Sequence, residues 1–106
     1  MIHPREIEIL NILYGSDAAL PCCDISAYSN NISQSTIHAV LRKLLKEGFV
    51  TVDGITYSGN VLSRTYTPTE AAKQAVKQQI IETCKSVMNI VPADELIKEL
   101  EKIGGV

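Results

Sequence analysis

Between Ser33 and Val50 the apolar residues Ile37, Val40, Leu41, Leu44 and Leu45 recur at i, i+3, i+4, i+7 and i+8, the spacing of one buried helix face. Ser33 or Ser35 can cap the start, and Gly48 can take the left-handed conformation that ends such a helix. The intervening positions carry Gln34, Ser35, His38, Ala39, Arg42, Lys43 and Lys46, short polar groups first and cations after. The pattern predicts a helix over 34–47 with two chemically distinct faces. Upstream, the stripe Ile7, Leu10, Leu13 and Tyr14 predicts a first helix from Pro4 to Tyr14, with Arg5, Glu8 and Asn11 outward and Gly15 just beyond its end. Ser16 to Leu20 is a connector with room for a very short strand. Pro21–Ser29 follows as a short helix with Ile25 and Tyr28 inward, and residues 29–33 have turn chemistry throughout.

After Gly48 the period changes from helical to alternating. Phe49–Asp53 reads as a strand and Val61–Tyr66 as its return, joined by a loop from Gly54 to Asn60 that puts Tyr57 and Asn60 near the tip. Thr67-Pro68-Thr69-Glu70 predicts a helix start, with Thr67 as cap, Pro68 at the first position and Glu70 completing a capping box. That helix is expected to run to about Val91, where Pro92 breaks it. A last helix over 93–103 places Leu96, Ile97, Leu100 and Ile103 on one face and ends at Gly104-Gly105.

The order helix, turn, helix, hairpin is that of a winged helix-turn-helix. The fold class is therefore mainly α with a small β-hairpin, a DNA-binding domain over residues 1–67 followed by a C-terminal helical dimerisation region over 68–106. The N-terminal part can bury its own faces. The stripe formed by Val76, Ile80, Cys84, Val87, Met88, Leu96, Ile97 and Leu100 needs a partner surface, and a second copy of the chain is the simplest supplier. In this arrangement the helix over 34–47 lies in a major groove, with Ser33, Gln34, Ser35, Thr36 and His38 at its front and Arg42 and Lys43 reaching phosphate. Arg64, on the wing, is placed for phosphate or the minor groove.

Charge complicates this reading. The chain has a formal net charge of −2, and residues 1–69 hold five Lys/Arg (Arg5, Arg42, Lys43, Lys46, Arg64) against six Asp/Glu. A domain that lives on phosphate contacts usually has a basic surplus. The expectation is a local asymmetry, with Arg42, Lys43, Lys46 and Arg64 on one side and Glu6, Glu8 and Asp17 elsewhere. The function expected is a homodimeric DNA-binding transcriptional regulator, a repressor on a palindromic operator held by the helix 34–47 and the wing 53–61. The alternative is a winged-helix module for protein–protein contact that does not bind DNA.

Other classes are excluded more simply. No apolar run approaches the roughly 20 residues that span a bilayer, and Met1–Glu6 lacks the pattern of a signal peptide, so a cytoplasmic protein with no membrane partner is expected. Cys22, Cys23 and Cys84 have no metal-site spacing, which suits reduced thiols, with redox sensing as the other use. No Ser/His/Asp, Cys/His or glycine-rich phosphate motif is present, so neither catalysis nor a cofactor or metal is expected. A small-molecule effector pocket lined by Tyr28, Cys84 and Met88 at the dimer junction is a variant of the regulator reading.

Three stretches carry a family likeness. Glu6-Ile7-Glu8-Ile9-Leu10-Asn11-Ile12-Leu13-Tyr14, Ser33–Val50 and Arg64-Thr65-Tyr66-Thr67-Pro68 resemble the first helix, recognition helix and second wing strand of winged-helix regulators of the penicillinase-repressor (BlaI/MecI/CopY) family. MarR-type and PadR-type regulators share the Thr-x-x-x-x-Leu-x-x-Leu-x-x-x-Gly-Phe-Val signature, and Tyr66–Ala71 is similar to theirs. The resemblance covers most of residues 4–70 and implies DNA binding as a dimer. The chain departs from the penicillinase repressors in having no Asn-Phe bond, since its single Phe, Phe49, follows Gly48. It also lacks the paired Cys-x-Cys motifs of the copper-responsive members.

Overall fold

A computed structural model describes residues 1–104; the second glycine expected at the C-terminal stop, Gly105, lies outside the described residues. In chain order the elements are α1 (Pro4–Tyr14), β1 (Leu20–Pro21), α2 (Cys22–Tyr28), α3 (Gln34–Glu47), β2 (Val50–Ser58), β3 (Val61–Pro68), α4 (Glu70–Ser86) and α5 (Ala93–Ile103). They form two compact units, Met1–Val76 and Lys77–Val106. The first holds a three-stranded antiparallel sheet in the order β1-β3-β2. Its fold is a winged helix-turn-helix.

The core of the first unit is aliphatic. Ile9, Leu10, Ile25, Ile37, Leu41, Leu44 and Val50 are its largest fully buried side chains, and Ala72 brings the start of α4 into contact with it. Each fully buried Leu, Ile or Val is worth about 1.5–3 kcal/mol, so these seven are a large part of the drive to fold. On α3 the leucine face is buried as its spacing requires, with Val40 and Leu45 half-buried at the edges. Ser33 caps the helix, its Oγ accepting from the Thr36 N–H at 3.3 Å. Gly48, at φ 79°, ends it in the left-handed conformation, and the Phe49 N–H returns to the Leu44 carbonyl at 2.9 Å.

The turn before α3 is tied by serines. Ser29 Oγ donates to the Ser26 carbonyl at 2.8 Å and accepts from the Ile32 N–H, while Ser26 Oγ donates to the Ile32 carbonyl at 3.0 Å. Asn31 takes φ 67°, a left-handed position that Asn tolerates better than most residues. These bonds set where α3 starts relative to α2.

Several expectations are corrected here. On α1 the buried face is Glu6, Ile9, Leu10 and Leu13; Ile7 is half-buried and Tyr14 is exposed. Tyr14 instead lies at the rim and donates its phenol proton to the Thr69 carbonyl. Tyr28, expected inward, is 69% exposed at the last position of α2, where Cys22 and Ile25 are the buried residues. The wing is longer than the segment 53–61. Its strands pair from Val50/Pro68 to Ser58/Val61, interrupted by a bulge between Val52 and Gly54, and turn over Gly59-Asn60. Gly59 has φ 66°, so glycine chemistry closes a two-residue turn where a seven-residue loop was expected.

The start of α4 also differs. Thr67 and Pro68 remain in β3, paired with Thr51 and Val50, and Thr69 is the residue that caps, its Oγ1 accepting from the Ala72 N–H at 3.3 Å. Thr69 Oγ1 donates to the Gly48 carbonyl at 2.7 Å, and its N–H donates to the Phe49 carbonyl at 3.0 Å. The end of α3 and the start of α4 are therefore locked to one residue. In the second unit α4 stops at Ser86, five residues before Val91, and the chain turns through 87–91 with Val87 accepting from Ile90 and Val91. No residue of α5 is buried, and Gly104 ends it at φ 86°. No helix among the described residues is long and apolar enough to cross a membrane.

Candidate nucleic-acid interface

The outward side of α3 is exposed to solvent along its length. Gln34, Ser35, Thr36, His38, Ala39, Arg42, Lys43 and Lys46 are all exposed, opposite the buried Ile37, Leu41 and Leu44. A helix with one face fixed to a core presents the other as a rigid surface, and this one is built of donors, acceptors and cations.

Gln34, His38 and Arg42, four residues apart, line one wall of an open cleft of about 650 Å³. Leu62, Ser63 and Arg64 of the wing form the opposite wall, and Cys22, Leu45 and Tyr66 contribute to its floor. Helix and wing thus meet at a concave surface containing two guanidinium groups, an imidazole and an amide. Among the described residues neither Arg42 nor Arg64 has an acidic partner.

Not every residue expected at the site joins it. Lys43 points to the other side of α3, where its Nζ donates to Glu6 Oε1 at 3.0 Å and lies 3.9 Å from Glu47. Glu6 was expected on the surface away from the cations, and it is 4% exposed. Its Oε1 accepts from both Lys43 and the His3 N–H, while Oε2 is buried without a partner. Lys43 therefore neutralises a buried carboxylate and fixes α3 against α1. Ser33 and Thr36 are occupied with each other at the helix start, Ser33 Oγ donating to Thr36 Oγ1 at 2.9 Å. Ser35 Oγ lies 3.2 Å from Ser33 Oγ in the same cluster.

Cys22 and the wing residues Leu62 and Ser63 of the cleft were not found from the sequence. Cys22 is buried at the base of the cleft, with its thiol donating to the Gln34 carbonyl at 3.6 Å. Burial pushes this thiol above its usual range, with the neighbouring Cys23 adding to the shift, so it stays protonated and serves as a weak donor. The adjacency of two cysteines gave no hint of this contact, which depends on how α2 packs on α3.

Of the residues expected at the dimer surface, Val76 packs against the core of the first unit. Ile80, Met88, Ile97 and Leu100 are exposed, and Cys84, Val87 and Leu96 are half-buried. Cys84, Val87, Met88 and Leu96 line an apolar cavity of about 350 Å³ within the second unit. Tyr28 lines a depression of the first unit with Asn11, Ile12 and Leu20.

A buried aliphatic core, a capped helix with a free polar face and an adjacent wing define the winged-helix class used by transcriptional regulators. Solved structures of such regulators are similar to this chain. PadR of Bacillus subtilis, solved in complex with operator DNA, is 28% identical over 74% of this chain with a TM-score of 0.61. The match takes in 48% of the PadR chain, so this chain spans about half the length of that relative. A MarR protein from Peptoclostridium difficile (17% identity, TM-score 0.59) covers 97% of this chain and 69% of its own. The adhesin competence repressor AdcR from Streptococcus pyogenes (17%, TM-score 0.56) covers 97% of this chain and 76% of its own. The chain matches no protein-family model and no curated protein sequence. The likeness supports the PadR and MarR side of the resemblance drawn from the sequence; the penicillinase-repressor family is not shown by it.

Proposed function

We propose that this chain is a DNA-binding transcriptional regulator, a homodimeric repressor that holds a palindromic operator through α3 and the wing of each copy. One observation carries the reading: Gln34, His38 and Arg42 protrude together from a helix whose reverse is buried, and share a cleft with Arg64. Gln34 suits adenine and His38 several base edges, while Arg42 and Arg64 supply charge for phosphate. Ser35 remains available beside Gln34, whereas Ser33 and Thr36 act first as the cap. Lys43 contributes by holding α3 in place. The MarR-like and PadR-like architectures, one of them solved on operator DNA, support the same reading.

The exposed apolar residues Ile80, Ile97 and Leu100 support dimerisation through the region 68–106, a second copy covering what one copy leaves open. Repression follows from occupancy of an operator. A non-enzymatic, cytoplasmic role belongs to the same reading.

The net charge of −2 favours a second reading, a winged-helix module that docks on another protein. The two separate cleanly. A duplex selected from a random pool is titrated with the wild-type chain and with Arg42→Ala/Arg64→Ala across a salt series. The regulator reading expects salt-dependent binding by the wild type, with the log–log slope reduced by about two units in the variant. Failure of the pool to yield any duplex bound above background would leave the protein-docking module.

A further inference from the structure

The wing is where this chain departs from what charge alone would build. Between Val50 and Pro68 the only charged residues are Asp53 and Arg64. In place of cations the hairpin exposes Ile55 (68%), Tyr57 (73%), Val61 (66%) and Leu62 (59%). Cross-strand register sorts these side chains by face. Tyr57 pairs with Leu62 and Ile55 with Arg64, so the four lie on one face, because paired residues point the same way. Tyr66 lies two residues from Arg64 and four from Leu62 on β3, so it shares their face, and it is buried in the core, so this is the face that turns toward α3. Leu62 and Arg64 line the cleft with Gln34, His38 and Arg42. Tyr57 and Ile55 continue the same surface outward.

Length agrees with a reaching role. β1 pairs only with Thr65 and Tyr66, so four cross-strand pairs, Ile55/Arg64 to Ser58/Val61, extend as a two-stranded ribbon. At about 3.3 Å per residue the ribbon projects about 13 Å, more than the minor-groove depth of about 7.5 Å. Arg64, free of any acidic partner among the described residues, sits beside Ile55 at the base of this ribbon. An apolar tip with a guanidinium behind it suits a duplex groove whose walls are deoxyribose, whose base steps can be wedged open and whose rim is phosphate.

We infer that the wing reads DNA by apolar contact: Tyr57 and Leu62, backed by Ile55, enter the minor groove next to the site of α3, while Arg64 meets the flanking phosphate. This rests on the DNA-binding reading above. Apolar side chains in the minor groove act as wedges that partly unstack a base step, so they favour steps that deform easily, TA and CA/TG. The contact releases no counterions, and it gives an acidic chain an affinity component that salt does not erode.

The test uses the full chain and a duplex selected by it, with affinity measured over a salt series for the wild type, Tyr57→Ser/Leu62→Ser, the conservative Tyr57→Phe/Leu62→Ile, and Arg42→Ala. Thermal melting and sedimentation of each variant accompany the titrations. The inference expects the serine pair to bind on the order of tenfold weaker or worse at every salt concentration, with the salt slope unchanged. It expects the conservative pair to restore binding and Arg42→Ala to lower the slope by about one unit. Replacing TA steps opposite the wing by GG steps should weaken the wild type and leave the serine pair indifferent. Unchanged affinity of the serine pair overturns the inference, as does a loss that follows dissociation of the dimer in sedimentation, which would put a second copy against the wing. A wild-type chain that binds no duplex overturns the DNA-binding reading itself, and this inference with it.

Discussion

The helices α3 and α5 are both amphipathic, and they leave opposite faces open. On α3 the apolar side is consumed within the first unit, Ile37, Leu41 and Leu44 being fully buried, and what faces outward is Gln34, His38 and Arg42. On α5 no residue is buried, and Ile97, Leu100 and Ile103 stay exposed beside Glu95, Lys98, Glu99 and Lys102. A helix that has satisfied its hydrophobic face can offer the polar one to a ligand. A helix that has not leaves an apolar one open to solvent. The same periodicity thus leaves two different surfaces, and the difference lies in which side the rest of the chain has already covered.

The contrast predicts unequal responses to the same substitution. Leu41→Ala on α3 should cost about 2–5 kcal/mol in chemical denaturation, since it opens a cavity in a closed core. Leu100→Ala on α5 should leave the stability of the first unit within about 0.5 kcal/mol and act instead on self-association, seen by sedimentation over a concentration series. Equal losses at both positions would show that the α5 face is covered within one copy.

The two cations of α3 give the next largest separation. Lys43→Ala removes the partner of a carboxylate that is 4% exposed and should destabilise by about 1–2 kcal/mol, a range that discounts the half-exposed lysine. It should leave the salt slope of DNA binding near that of the wild type. Arg42→Ala should do the reverse, with a near-wild-type melting temperature. In the turn before α3, Asn31→Val should cost about 1–2 kcal/mol and Asn31→Gly little or nothing, because only the left-handed backbone is at issue.

The smallest effect concerns Tyr14. Burial holds its phenol above the ordinary 10.0, with Glu70 adding to the rise and a backbone hydrogen bond opposing it. An acid whose folded pKa is raised contributes stability that is complete below the unfolded value and fades as pH rises through the folded one. Tyr14→Phe should therefore flatten the loss of stability above about pH 10, measured by melting at stepped alkaline pH, and change little near neutrality.

Much of this was legible in the residues. The start and end of α1 and α3 followed from Pro4, Ser33 and Gly48, because cap and breaker chemistry is local. The polar face of α3 was legible for the same reason: five apolar positions at helical spacing leave one way for Gln34, His38 and Arg42 to point. What escaped were decisions made at a distance. Glu6 looks like a surface residue until Lys43, 37 positions on, meets it. Thr67 and Pro68 read as a helix start, but pairing with β2 claims them for the sheet and passes the cap to Thr69. The wing was expected to be mostly loop because Gly, Ser and Asn are frequent there. Cross-strand pairing extends order to Ser58 and Val61, and only Gly59-Asn60 need turn.

The proposed function rests on contact between the exposed face of α3 and base edges. The direct test is a titration of a selected duplex, at one fixed salt concentration, with the wild type and with Gln34→Ala/His38→Ala, whose side chains are exposed and whose loss should not shift the melting temperature. The account predicts a loss of affinity on the order of tenfold or more, together with relaxed preference at one or two base pairs. Equal affinity and an unchanged preference in the double variant would contradict it.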